Sequence, residues 1–285
     1  MSNPTEFARR YHRMKIHMDF APQYSGTVNI TKYQNGSRED CNAEMETLKA
    51  LIAKVLKRKP DSIFCFPAGD MIPSSEAFYT KGIYRAYNGK GSPDEIIDVL
   101  RLACRFDRPK KTGCATLTAY AKKFIGLDCN GFVGNYHGLS PELHVSIWAY
   151  GWTGKPDKVA ALKEAERLSI ESFFPLKPRT DVKEARSGDV LASLNAAGKI
   201  HHVALIDDVF GGEANLMRCR IVEWGQAGEE PNHIKEIKTY ELVKGPKNFG
   251  VEYGIHPKGG EFRYLLARPT GFNPAGWGRC GREYI

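Results

Sequence analysis

"FIGLDCNGFVGNY", Phe124 to Tyr136, sets a cysteine between an aspartate and an Asn-Gly pair, immediately ahead of an apolar run. That arrangement reads as the start of a helix. Asp128 is a capping residue, Gly131 allows close approach of backbone or substrate, and Phe132 with Val133 anchors the following turn in a core. A thiol in the first turn of a helix feels the partial positive charge of the unpaired backbone N–H groups, which favours thiolate over thiol. Cys129 is therefore a candidate nucleophile, and a nucleophilic thiolate calls for a histidine base farther along the chain.

The chain after Cys129 supplies one. "KVAALKEAERLSIESFF" (Lys158 to Phe174) has the spacing of an amphipathic helix that "PLKPRT" ends. Strand-like runs follow: "GDVLASL" (Gly188 to Leu194), "IHHVALIDDVF" (Ile200 to Phe210), "MRCRIVEWG" (Met217 to Gly225) and, near the end, "EFRYLLARP". Short Gly-containing turns between consecutive strands require antiparallel neighbours, so the reading is an α+β fold with helices packed on an antiparallel β-meander. Side chains alternate along a strand. His202 thus shares a face with Ala204 and Ile206, while His201 points the other way, and only one of the two can meet Cys129. In "RCRIVEWGQ" the same alternation puts Cys219, Ile221 and Glu223 on one face. A carboxylate ending an apolar row needs a polar partner, which an imidazole provides. Glu223 is the favoured residue to orient His202; Gln226, Asn232 and His233 are the other candidates.

The order "LDCNGFV", "SGDVLAS" (Ser187 to Ser193), "HHVALIDDV" resembles the NlpC-type cysteine peptidases, papain-like bacterial cell-wall endopeptidases. Their pattern runs Asp-Cys-Ser-Gly-hydrophobic-Val, Gly-Asp-hydrophobic, His-Val-hydrophobic. The chain is also similar to the CHAP amidases, in which a glutamate on the next strand orients the histidine. The resemblance spans Tyr120 to Gly225 and implies a papain-like core with Cys129, His202 and Glu223 as catalytic residues. It implies hydrolysis of an amide bond in peptidoglycan stem peptides or another peptide or isopeptide. Asn130 stands where the family has Ser, and the family's Pro-Tyr-x-Trp-Gly-Gly segment is missing. Tyr120 is the residue that could take over its tyrosine's place at the oxyanion site. Lys123 stands where papains have their oxyanion glutamine.

The rest of the chain sets the frame. At 285 residues with 42% hydrophobic composition, it can bury a sizeable core. The helix read over Cys41 to Lys59 and the strand-like stretches "GTVNITKYQNGS" and "DSIFCFPAGD" form an N-terminal α/β region. The turn-rich "YNGKGSPDE" (Tyr87 to Glu95) reads as a linker, dividing the chain into an N-terminal targeting or regulatory region, residues 1–92, and a hydrolase domain, residues 93–285. Seven cysteines without CxxC spacing argue for reduced thiols and against a cysteine-built metal site. His137 and His144, read as surface residues, lack carboxylate company, so no metal and no cofactor is expected.

No apolar run reaches the roughly 18 residues of a membrane helix, and no secretory h-region follows the basic start. The expectation is a protein made in the cytoplasm and delivered to a cell wall by a route without a Sec signal. The net charge of +8 favours an anionic envelope. The basic residues are scattered apart from "KVLKRKP" and "RPKK", which disfavours nucleic acid. Two other readings stand beside the hydrolase: a peptidase-like binding module for glycan or nucleic acid with its thiol unused, and a thiol acyltransferase on the same scaffold. Oligomeric state is not legible.

Overall fold

Ser92 opens a helix that both halves of a capping box fix in place. Its hydroxyl accepts from the Glu95 amide at 3.3 Å and the Glu95 carboxylate accepts from the Ser92 amide at 2.9 Å, a reciprocal cap ahead of Pro93. The computed structural model describes residues 3–19, 21–34, 38–60, 63–70, 72, 75–137, 176–178, 185–194, 200–209, 216–224, 238–244, 251–255 and 261–269. Within them the helices are α1 (Pro4–His12), α2 (Glu39–Leu56), α3 (Thr80–Tyr87), α4 (Pro93–Arg105), α5 (Arg108–Lys111), α6 (Leu117–Phe124) and α7 (Cys129–Tyr136). Two small antiparallel pairs accompany them: β1 (Met14–Ile16) with β2 (Gly26–Val28), and β3 (Ile63–Cys65) with β4 (Ala77–Tyr79). The helix read from Cys41 to Lys59 stops at Leu56. Lys57 turns left-handed at φ 53° and returns its amide to Ala53, ending the helix before Pro60 is reached.

The sheet lies in the second half of the chain. It comprises β5 (Leu176–Pro178), β6 (Val190–Leu194), β7 (Ile200–Val209), β8 (Leu216–Glu223), β9 (Lys238–Lys244), β10 (Val251–Ile255) and β11 (Glu261–Pro269). β6 through β10 pair antiparallel in chain order. β11 pairs with both β6 and β10, closing the ladder, and β5 adds to the other end of β11. The fold is thus α+β, helices first and antiparallel strands after. The helix expected over Lys158 to Phe174 lies outside the described residues.

The two faces of the β6–β8 ladder differ. Leu191, Ala204, Ile206, Cys219 and Ile221 form one buried cluster, whereas Val190, Val203, Leu205, Val222 and Trp224 join the core of the helical half. α1 docks on that second face. Its Thr5 amide donates to Asp207 Oδ1 at 2.9 Å, and Tyr11 meets the Trp224 ring edge-on at 5.4 Å between centroids.

One core therefore runs from Phe7 through Ile52, Phe78 and Val99 to Phe132 and Trp224. The segment read as a linker is part of it: Tyr87, Asn88, Lys90 and Ser92 are all buried. Its Gly and Asn residues make a tight internal turn, with Gly89 at φ +74°, instead of an exposed connection. No break in packing falls at residues 92–93. Trypsin should accordingly leave the bond after Lys90 intact in the native protein, and a chain starting at Ser92 should lack a cooperative melt by circular dichroism. A native cut at Lys90, or sharp unfolding of the shortened chain, would show two separable parts.

Candidate active site

Asp128 caps α7 as its sequence position suggested, with backbone φ −106° and ψ 172°. Its Oδ1 accepts from the Gly131 amide at 2.5 Å, and its own amide donates to Gly89 O at 3.0 Å. The other carboxylate oxygen, Oδ2, receives the Lys90 ammonium, and both side chains are almost wholly buried. Burial pushes the Asp128 carboxyl up. The Lys90 charge, the Lys90 and Gly131 hydrogen bonds and the charge of His202 pull against it. Cys129 thus begins α7, its backbone amide one of the first-turn amides that the helix itself does not take up.

Residues 89–91 cross that first turn. A Cβ at position 131 would stand 2.2 Å from Gly89 O, so the close approach that Gly131 permits is to the chain's own backbone. Asn135 locks the crossing from one turn farther on: its Nδ2 donates to Lys90 O at 2.9 Å, Gly91 O at 3.1 Å and Gly131 O at 2.7 Å.

β7 and β8 bring the other two residues. Their register places Ala204 opposite Glu223, so His202, two residues before Ala204 on β7, is diagonal to Glu223 across the ladder. His202 Nε2 lies 3.1 Å from Glu223 Oε2. α7 packs on both strands, and Cys129 is hydrogen-bonded to the His202 ring. Burial alone would lower the His202 imidazole. The hydrogen bonds and negative charge of Cys129 and Glu223 outweigh it and raise the ring to about 10. The three residues singled out in the sequence therefore meet at the head of one helix. Gln226, Asn232 and His233 lie outside the described residues, and nothing is described of the His201 side chain.

A fourth residue was missed. Tyr33 is bridged to Leu127, and its half-buried side chain is hydrogen-bonded to Cys129. Burial, then the negative charge of Cys129 and Asp128, pushes its phenol well above the ordinary value, so the hydroxyl keeps its proton as a donor. The sequence signal available was slight: one tyrosine at the end of an alternating stretch. Tyr120, expected near the oxyanion site, is elsewhere. Its hydroxyl donates to Glu44 Oε1 at 2.8 Å and meets the Tyr87 hydroxyl at 2.5 Å, because helix α6 turns that face toward α2. His137 is not a surface residue. Its ring is buried, and burial pushes it down to about 4 against a hydrogen bond with the Gly188 backbone.

Among the described residues no group of three or more His, Cys, Asp or Glu is placed to hold a metal ion. No described helix is long and apolar enough to cross a membrane. No protein-family model, curated protein or solved structure matches the chain.

His202 yields a measurable consequence. A ring raised from its ordinary value of 6.5 to about 10 contributes stability that is fully present below pH 6.5 and is lost as pH rises through about 10. The melting-temperature gap between wild type and Glu223→Gln should be widest in the acid range and close in the alkaline range. Imidazole NMR should place the His202 midpoint above that of an ordinary histidine and lower it in Glu223→Gln. An ordinary midpoint in the wild type would mean that the ring is not paired as described.

Proposed function

We propose that the chain is a cysteine amidohydrolase of papain-like architecture, acting through Cys129, His202 and Glu223. One observation carries the reading: thiol, imidazole and carboxylate converge in series at a helix N-terminus, with a protonated phenol beside the thiol. The Cys129 thiolate attacks the substrate carbonyl carbon. Charge moves to the carbonyl oxygen, for which the Cys129 amide and the Tyr33 hydroxyl are the available donors. The His202 imidazolium gives its proton to the leaving amine as the C–N bond breaks, leaving a thioester. His202 then takes a proton from water as it attacks the thioester; the acid departs and the thiol is restored. Glu223 keeps the ring oriented and stabilises its protonated state.

The peptide cross-links of a bacterial wall are the substrate class implied by the motif order "LDCNGFV", "SGDVLAS", "HHVALIDDV". A net charge of +8 suits adsorption to an anionic envelope.

Purified sacculi incubated with the protein should release peptide fragments with new amine and carboxyl ends, detected by mass spectrometry, and Cys129→Ala should release none. Equal fragment patterns from both proteins, or acylated products without new carboxyl ends, would sink the hydrolase reading. The oxyanion assignment has its own check. Tyr33→Phe should lower kcat about 10- to 100-fold, by clearly more than it slows alkylation of Cys129 by iodoacetamide. An unchanged kcat would remove Tyr33 from the mechanism.

A further inference from the structure

Cys129 is surrounded by an unusual arrangement of charge. Lys90 and Asp128 are both buried and in contact, yet neither is a member of the reacting triad. A buried ion pair is weak evidence for stability, since desolving two charges cancels most of their attraction. This one occupies the cap of the nucleophile's own helix. The Asp128 carboxylate spans two partners, the Lys90 ammonium and the Gly131 amide, and lies close enough to His202 and Tyr33 to act on the charge of both.

We propose that Lys90 and Asp128 form a charge-balancing pair that sets how readily Cys129 becomes thiolate, Lys90 acting as a positioning residue through Asp128. The inference rests on the reading of Cys129 as nucleophile. A carboxylate alone at the helix cap would oppose a second negative charge on the adjacent residue, while an amine alone would favour it. The pair presents neither sign in excess. It thereby keeps the capping carboxylate, which holds the first turn in place, from raising the cost of ionising the thiol one residue later.

The segment carrying Lys90 is fixed for the task by the three Asn135 contacts on Lys90 O, Gly91 O and Gly131 O. Among the described residues, the titratable groups around the thiol are Tyr33 from the strand-like stretch beside Leu127, His202 from β7, Glu223 from β8, and Asp128 with Lys90 themselves. From α1, Tyr11 is engaged with Gly91 O, and His12 lies against Trp224. Tyr136 and His137 sit at the far end of α7, beside Ser187 and Gly188.

The test is the pH dependence of Cys129 alkylation by iodoacetamide in the full chain, followed by peptide mass mapping, which needs no substrate. Lys90→Met leaves the Asp128 carboxyl beside the thiol without its counter-charge, so the alkylation midpoint should rise by about one pH unit or more. Asp128→Asn keeps a capping oxygen and leaves the ammonium, so the midpoint should fall by a similar amount. The double variant Lys90→Met/Asp128→Asn should return close to wild type. A purely structural pair moves neither midpoint, or moves both the same way, and either result overturns the proposal.

Where neither single variant folds, the wild-type chain carries the test through the carbon NMR signal of the Asp128 carboxyl. That signal should show an inflection at the pH where Cys129 ionises, and Cys129→Ala should abolish it; a signal blind to Cys129 overturns the proposal. An ordinary thiol midpoint in the wild type, with opposite shifts in the two variants, would instead fault the catalytic reading and leave the charge pair standing.

Discussion

The contact on which the site depends is the crossing of residues 89–91 over the first turn of α7. A hydrogen bond from the Asp128 amide to Gly89 O, the Lys90–Asp128 pair and the triple donation of Asn135 all act across it. It is possible only because position 131 has no side chain; any Cβ there would collide with Gly89 O. Gly89 is similarly confined, its positive φ accompanied by the Gln34 carbonyl 2.1 Å from where a Cβ would be. Two glycines thus let the backbone of the N-terminal third, the helix that begins at Cys129 and the stretch carrying Tyr33 come together at one place. A site built by such close approach has little freedom to loosen, which is what the proposed chemistry would require of a thiol held in hydrogen-bond reach of an imidazole.

What the sequence made legible follows from the range of the physics involved. Asp128, Cys129 and Gly131 form a local cap, so their geometry is contained in four consecutive residues. His202 and Glu223 were legible by a different route. Strand alternation assigns each a face before any partner is known, and one antiparallel register then makes them diagonal neighbours. Tyr33 had no such marker. It reaches Cys129 because Gln34 N donates to Leu127 O and Leu127 N to Lys32 O, a pairing between distant segments that no local pattern announces.

The misread segment is instructive for the same reason. Asn-Gly-Lys-Gly carries identical local signals whether the turn is exposed or buried, since glycine answers a demand for positive φ in either place. What decides is whether the backbone groups find partners. Here Lys90 N donates to Arg85 O, Asn135 takes up Lys90 O and Gly91 O, and the Tyr11 hydroxyl also donates to Gly91 O at 3.2 Å. With those groups satisfied, burial costs little. Tyr120 misled in the opposite sense: nearness in sequence to Cys129 suggested a shared site, but a buried glutamate at position 44 claims its hydroxyl.

Charge also ties the helical half together across position 92. Arg85 pairs with Glu95, Glu44 with Arg108 at 2.5 Å, Glu76 with Arg101, Asp70 with Arg105 at 2.6 Å, and Lys90 with Asp128. Each of these pairs joins a residue before position 92 to one after it, and in none is either side chain more than 18% exposed. Such pairs add little net stability over apolar packing, but a misplaced partner leaves a buried charge unmatched. Their effect is to exclude alternative dockings of the N-terminal segments on α4 to α7. Register of that kind is what residues 89–91 need if they are to reach the first turn of α7 in the one position where Gly131 admits them. Five basic residues, Arg85, Lys90, Arg101, Arg105 and Arg108, are thus spent inside, holding the N-terminal third against α4, α5 and the head of α7.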